Sequence, residues 1–278
     1  MPELSTKNYP RSPGTGSLLL LLFLVIVCVA VISAQAGFPI LFITNPHPES
    51  TAVPLPQESS TSADATLTLE RQSWYAIQVG SYESQEEALA EADSLRKRGG
   101  AGYVYQNGSY RLLVACYPSQ EEAEEVRAKL QNNQEFSSPA LYHFVSDEIL
   151  LHIVATPMQS SALSQGYALL PEMIRELSRL SLALDRNTMD ADAVRAAAGT
   201  NLSRANALIS TMNTALSASN HPLTRGLMEL LESCAQSMEQ LEQNSGDTLS
   251  LSAQIKYNHM EILCRFIDYA RKMGELGV

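Results

Sequence analysis

The chain writes Val, any two residues, Tyr, any residue, then SQEEA twice, from Val79 to Ala88 and again from Val114 to Ala123. Each copy falls where an apolar alternation of period two gives way to helical spacing. Any fold for this region must therefore contain two equivalent strand-to-helix corners. Ahead of the first corner, WYAIQVG (Trp74 to Gly80) alternates, setting Tyr75, Ile77 and Val79 on one face and Trp74, Ala76 and Gln78 on the other. Ser84 precedes Glu87 at the spacing of a capping box. Ala88, Ala92 and Leu95 then line one side of a helix that Gly99 and Gly100 stop. Ala101–Gln106 and Ser109–Tyr117 read as two strands joined at Asn107-Gly108, a dipeptide that tight hairpins favour. At the second corner Ser119 caps toward Glu122, with Ala123, Val126 and Leu130 along the helix, and ALYHFVS from Ala140 supplies a fourth strand.

The order is βαββαβ, the ferredoxin-like plan. Two helices cover one side of such a sheet, so its other face is expected to be open. Alternation gathers Trp74, Gln78, Tyr103, Tyr105, Arg111 and Leu113 on that face. The first and third strands are central neighbours in this plan, which sets Gln78 beside Arg111, with Ser81 at the strand exit. By the same count Cys116 points beneath the helices as a buried thiol.

Ser17 to Ile43 lies in a run free of charge from Ser12 to Pro48, longer than the ~20 apolar residues that span a bilayer. Lys7 and Arg11 precede it, and Glu49, Glu58 and Asp64 are the first charges after it. Residues 1–16 thus read as a cytoplasmic tail, 17–43 as a transmembrane anchor, and the remainder as exported. A cleaved signal peptide ending at Ala34-Gln35-Ala36 is the other reading, and it exports the same part of the chain. Residues 44–70, rich in Pro, Ser and Thr, read as a disordered linker. Residues 71–146 form the sheet domain.

Residues 147–278 turn to helical periodicity. Leu163, Tyr167, Leu170, Ile174, Leu177 and Leu184 share one stripe, with Pro171 expected to start or kink the helix near its middle. Val194 to Met212, Leu227 to Leu241 behind Pro222, and Ile255 to Met273 supply three more stripes. Breaks near Asn187, Ser219 and Gly246 predict an up-and-down four-helix bundle. EILLHIVATP, Glu148 to Pro157, suits either a strand extending the sheet or a helix entering the bundle. The expected fold class is therefore α+β followed by all-α, preceded by one transmembrane helix.

The net charge of −11 on 278 residues repels phosphate backbones, and SYRLLVACY lacks the Gly and paired aromatics of an RNP1 motif, so no nucleic-acid partner is expected. No pair among the four cysteines has CxxC spacing. Cys234 and Cys264 lie on successive helices, but a disulfide between them is not expected. His152, His221 and His259 stand alone, the last as a hydrogen-bonded core histidine. No metal site, cofactor or catalytic constellation is expected, and the chain reads as a non-enzyme.

With Gln78, Gly80 and Ser81 between aromatics, a helix, Tyr110-Arg111 leading a strand, and a second Glu-Glu-Ala helix, Trp74 to about Ser146 resembles the SPOR family of bacterial septal peptidoglycan-binding domains. The resemblance implies binding to glycan strands stripped of stem peptides. Its contact positions map to Gln78, Ser81 and Arg111, with a ring from Trp74, Tyr103 or Tyr105 packing on the sugar. Ser109 departs from an aromatic in some members, and Ala115-Cys116 from a frequent Gly-Pro. The chain then reads as a membrane-anchored, septal, wall-binding protein of cell division or sporulation whose helical bundle meets a protein partner. The alternative is an activator or associated subunit of a cell-wall hydrolase, acting through the bundle.

Overall fold

In a computed structural model, which describes residues 61–275 apart from 133–135, 137, 218 and 220, both repeated corners turn from strand into helix. The elements are β1 (Ala63–Leu69), β2 (Gln72–Tyr82), α1 (Gln85–Arg96), β3 (Tyr103–Asn107), β4 (Ser109–Tyr117), α2 (Gln120–Asn132), β5 (Ala140–Ser146) and β6 (Ile149–Ala155). Four long helices follow: α3 (Pro157–Asp185), α4 (Ala191–Leu216), α5 (Pro222–Glu242) and α6 (Thr248–Glu275). The cytoplasmic tail, the apolar Ser17–Ile43 stretch and residues 44–60 of the linker lie outside the described residues. Among the described residues no helix is long and apolar enough to cross a membrane.

The two SQEEA phrases do the same local work. Ser84 Oγ accepts the Glu87 N–H and Ser119 Oγ the Glu122 N–H, each at 3.2 Å, satisfying one otherwise unpaired amide at the start of α1 and α2. Helix α1 stops at Gly99, whose φ of 83° is left-handed, and the Gly100 N–H returns to the Leu95 carbonyl at 3.1 Å. The β3–β4 hairpin folds about Gly108 at φ 72°. Strand order in the antiparallel sheet is β3-β4-β2-β5, the order of the βαββαβ plan. Helices α1 and α2 cover one face, over Ile77, Leu112, Val114, Ala115 and Tyr117.

The other face is only partly open. Trp74, Ala76, Leu113, Cys116 and Phe144 share one continuous core with the bundle, and α6 packs on β3, β4 and β5. The cause lies in α6 itself. Besides the expected stripe of Ile255, His259, Ile262, Phe266 and Met273, it buries Leu251, Ala253, Met260, Leu263 and Ala270, enough apolar circumference for two packings. Lys256 ties the parts together where α1 ends, donating to the Gly99 carbonyl at 3.0 Å, Asp185 Oδ1 at 2.9 Å and Ser252 Oγ at 2.8 Å.

Cys116 also departs from expectation, because the β2–β4 register slips between Ala76 and Gln78. The slip places an extra residue in β4, so Val114 and Ala115 both meet the α1/α2 side, and Cys116, opposite Ala76, turns toward the bundle. Ala63–Leu69, the end of the expected linker, is a strand: Leu67 and Leu69 alternate with Thr66 and Thr68 and are buried. Its partner is β6, from the stretch left ambiguous by its periodicity. The two form a separate ribbon instead of extending the main sheet. The four helices fall where the stripes place them, each packing on the next and α6 returning to α3. Helix α3 starts at Pro157 behind a reciprocal Thr156–Gln159 capping box and continues through Pro171 without ending there. Cys116, Cys234 and Cys264 are free and buried.

Candidate functional site

Helix α6 covers only part of the sheet face. Toward the end of β2, Gln78, Arg111, Tyr105 and Tyr142 remain half-exposed, and Ser81 and Asn107 exposed. Gln78 and Arg111 occupy the two central strands, and Arg111 Nη1 donates to Gln78 Oε1 at 2.8 Å, as the strand order requires. A second register slip, between Gln78 and Gly80, brings Ser81 opposite Arg111, so both side chains share this face. Ser81 Oγ then meets Ser109 Oγ at 2.8 Å.

Tyr142 anchors the floor of this region. It belongs to β5 at one sheet edge, opposite the small Ala76, yet its hydroxyl accepts from Asn107 Nδ2 at 2.9 Å at the other edge. The side chain thus reaches across the sheet. The Arg111 guanidinium carbon stands 5.3 Å from the Tyr142 ring centroid. Tyr105 and Phe144 pack on the same ring, with centroids 5.5 and 4.9 Å away. Burial, and then the neighbouring Tyr142, push the Tyr105 phenol up to about 12, so it keeps its proton and can donate. Arg111 Nε is buried with no hydrogen-bond partner among the described residues.

One of the expected contact rings is removed from the surface and a second is partly covered. Trp74 is 3 % exposed, its indole N–H donating to Gln72 Oε1 at 3.1 Å and its ring set at 73° to that of His259, centroids 4.8 Å apart. Tyr103 packs on Tyr257 at 5.4 Å, and burial raises its phenol. The Trp74 ring cannot receive a sugar while α6 stays in place, whereas Tyr103 keeps the part of its surface that Tyr257 and α6 leave free. Of the rings expected there, Tyr105 stands opposite Arg111 and is half-exposed. Alternation places Tyr142 on this face with Phe144, two positions on. That signal was available in ALYHFVS, whereas the Asn107 and Ser109 contacts arise from the hairpin.

His259 is a core residue, 1 % exposed, but its Nε2 finds no partner, and burial pushes its pKa down to about 3. Burial likewise pushes the Cys234 and Cys264 thiols up to about 12 and raises Cys116, so all three are poor nucleophiles.

A SPOR-domain profile matches the chain over residues 63–106 and, overlapping, over 72–142. Residues 63–142 belong to the SPOR domain family. Searches of curated proteins and of solved structures found no match. SPOR domains are non-catalytic modules that bind peptidoglycan, which puts this part of the chain on the side of the membrane that faces the cell wall. The SPOR match begins at β1, so the ribbon strand falls within it.

Proposed function

We propose that this chain is a membrane-anchored, non-catalytic wall-binding protein whose SPOR domain recognises denuded glycan strands at the septum, in division or sporulation. Gln78, Ser81, Arg111 and Tyr105 contact the glycan, residues 17–43 anchor the chain with its N-terminus in the cytoplasm, and the outer side of the bundle meets a protein partner. The observation that carries this reading is the Arg111–Gln78 pair at 2.8 Å on the uncovered end of the sheet. One guanidinium N–H is committed to Gln78, which leaves other donors for ligand. The amide nitrogen and the Ser81 hydroxyl suit sugar hydroxyls and N-acetyl groups. Removal of a stem peptide bares a carboxylate on the lactyl group of the sugar, and a guanidinium is the side chain best suited to bind it. An intact stem peptide, by contrast, presents a neutral amide at that position.

The test is retention of residues 58–278 on sacculi with and without amidase treatment. Retention is expected on treated sacculi, with a loss of roughly tenfold for Arg111→Ala, since a hydrogen bond to a charged group contributes about 1.5–3 kcal/mol. Gln78→Ala should also weaken retention. Equal retention on both preparations, or variants that bind like the parent, would overturn the proposal.

A further inference from the structure

Tyr142 is not among the contact positions that the family resemblance supplies, and its side chain reaches across the part of the face that α6 leaves uncovered, from edge strand β5 to Asn107 on edge strand β3. The geometry points to Tyr142 as the positioning residue of the glycan site, holding the Arg111 guanidinium in place, with Asn107 as the anchor that fixes the ring. This rests on the glycan reading above and deepens it.

Three observations converge. First, among the described residues Arg111 has a single hydrogen bond to hold it, to Gln78, and its Nε is buried without an acceptor; the π face of Tyr142 lies 5.3 Å from the guanidinium carbon. An arginine held by one bond swings about that bond, and a ring against the guanidinium plane removes that freedom. Second, Tyr142 is itself pinned at its far end by Asn107 at 2.9 Å and along its sides by Tyr105 and Phe144, so its orientation is set before ligand arrives. Third, the chain of contacts Gln78, Arg111, Tyr142, Asn107 draws one residue from each of the four strands of the sheet. A glycan strand meeting this row engages a site whose donors are already aligned.

The test uses residues 58–278 and amidase-treated sacculi, with the thermal midpoint of every variant measured alongside. Tyr142→Leu is expected to lower retention up to about tenfold, the loss in Arg111→Ala, since it frees the guanidinium that Arg111→Ala removes. Tyr142→Phe and Asn107→Ala keep the ring and lose only the anchor, with about threefold loss each. In the double variant Tyr142→Leu/Arg111→Ala, retention should fall no further than in Arg111→Ala alone, because a residue acting through another adds nothing once that partner is gone. A merely structural role for Tyr142 predicts losses that multiply. Wild-type retention by Tyr142→Leu while Arg111→Ala fails, or multiplied losses in the double variant, overturns the role of Tyr142 and leaves the glycan reading standing. If Tyr142→Leu does not fold, Tyr142→Phe and Asn107→Ala decide by the presence or absence of their threefold loss. Indifference of both the parent chain and Arg111→Ala to amidase treatment removes the glycan reading and this proposal together.

Discussion

Lowering the pH from 7 to 5 should weaken the joint between the SPOR domain and the bundle, and His259 is the reason. In the unfolded chain its imidazole protonates near 6.5, but in the folded chain burial, with Trp74 alongside, delays this to about 3. Between those values the unfolded state holds one more proton, so stability is full above pH 6.5 and is lost as the pH falls, by ~1.4 kcal/mol per unit. At pH 5 the loss is about 2 kcal/mol, a large part of the stability of an ordinary domain. Stopping at pH 5 keeps Glu176 out of the comparison, since its ion pair with Arg179 holds it below the usual carboxylate value of 4.5. Urea unfolding of residues 58–278 at the two pH values, parent against His259→Leu, isolates the effect. Trp74 is the one tryptophan in the chain and lies on His259, so its fluorescence reports on this interface. His259→Leu should match or exceed the parent at pH 7, because it removes the unpaired Nε2, and should lose about 2 kcal/mol less on acidification. Equal acid losses in the two proteins would refute a neutral, desolvated His259.

A fragment limited to residues 71–146 should aggregate or lack a cooperative unfolding transition by size-exclusion chromatography and urea titration, because Trp74, Leu113 and Phe144 lose their cover; a soluble, cooperatively unfolding fragment would contradict the shared core. Lys256→Met should cost about 1 kcal/mol in urea unfolding by removing the ammonium that the Asp185 carboxylate and the Gly99 carbonyl share, with Ser252 Oγ left as their remaining donor, and an unchanged midpoint would show that contact to be idle. Ser84→Ala and Ser119→Ala should each cost about 1 kcal/mol and add when combined, since they cap separate helices.

The repeated SQEEA phrase was enough to identify two capped corners, and both caps form at the serine oxygens the spacing selects. The helical stripes placed four helices with their breaks, because period and capping are local properties that need no partner. The adjacency of Gln78 and Arg111 was legible for a related reason: once the strand order is known, alternation says which side chains share a face. The composition of residues 61–70 misled, since a Thr-rich segment reads as linker until β6 arrives to pair with it. Alternation misplaced Cys116 because a bulge has no strong signature in SYRLLVACY.

What the sequence determined alone is the set of elements, their caps and the residues that can meet on each strand face, all decided within a few residues by backbone geometry and side-chain spacing. Only the tertiary structure decided that the second sheet face is half covered, so that Trp74 serves the core, Tyr103 is partly covered and the Tyr142 side chain lies on the part left free. An apolar residue in a strand has the same pattern whether it faces a ligand or a helix folded back from far along the chain. That choice depends on contacts between segments as distant as Trp74 and His259, and no local periodicity carries it.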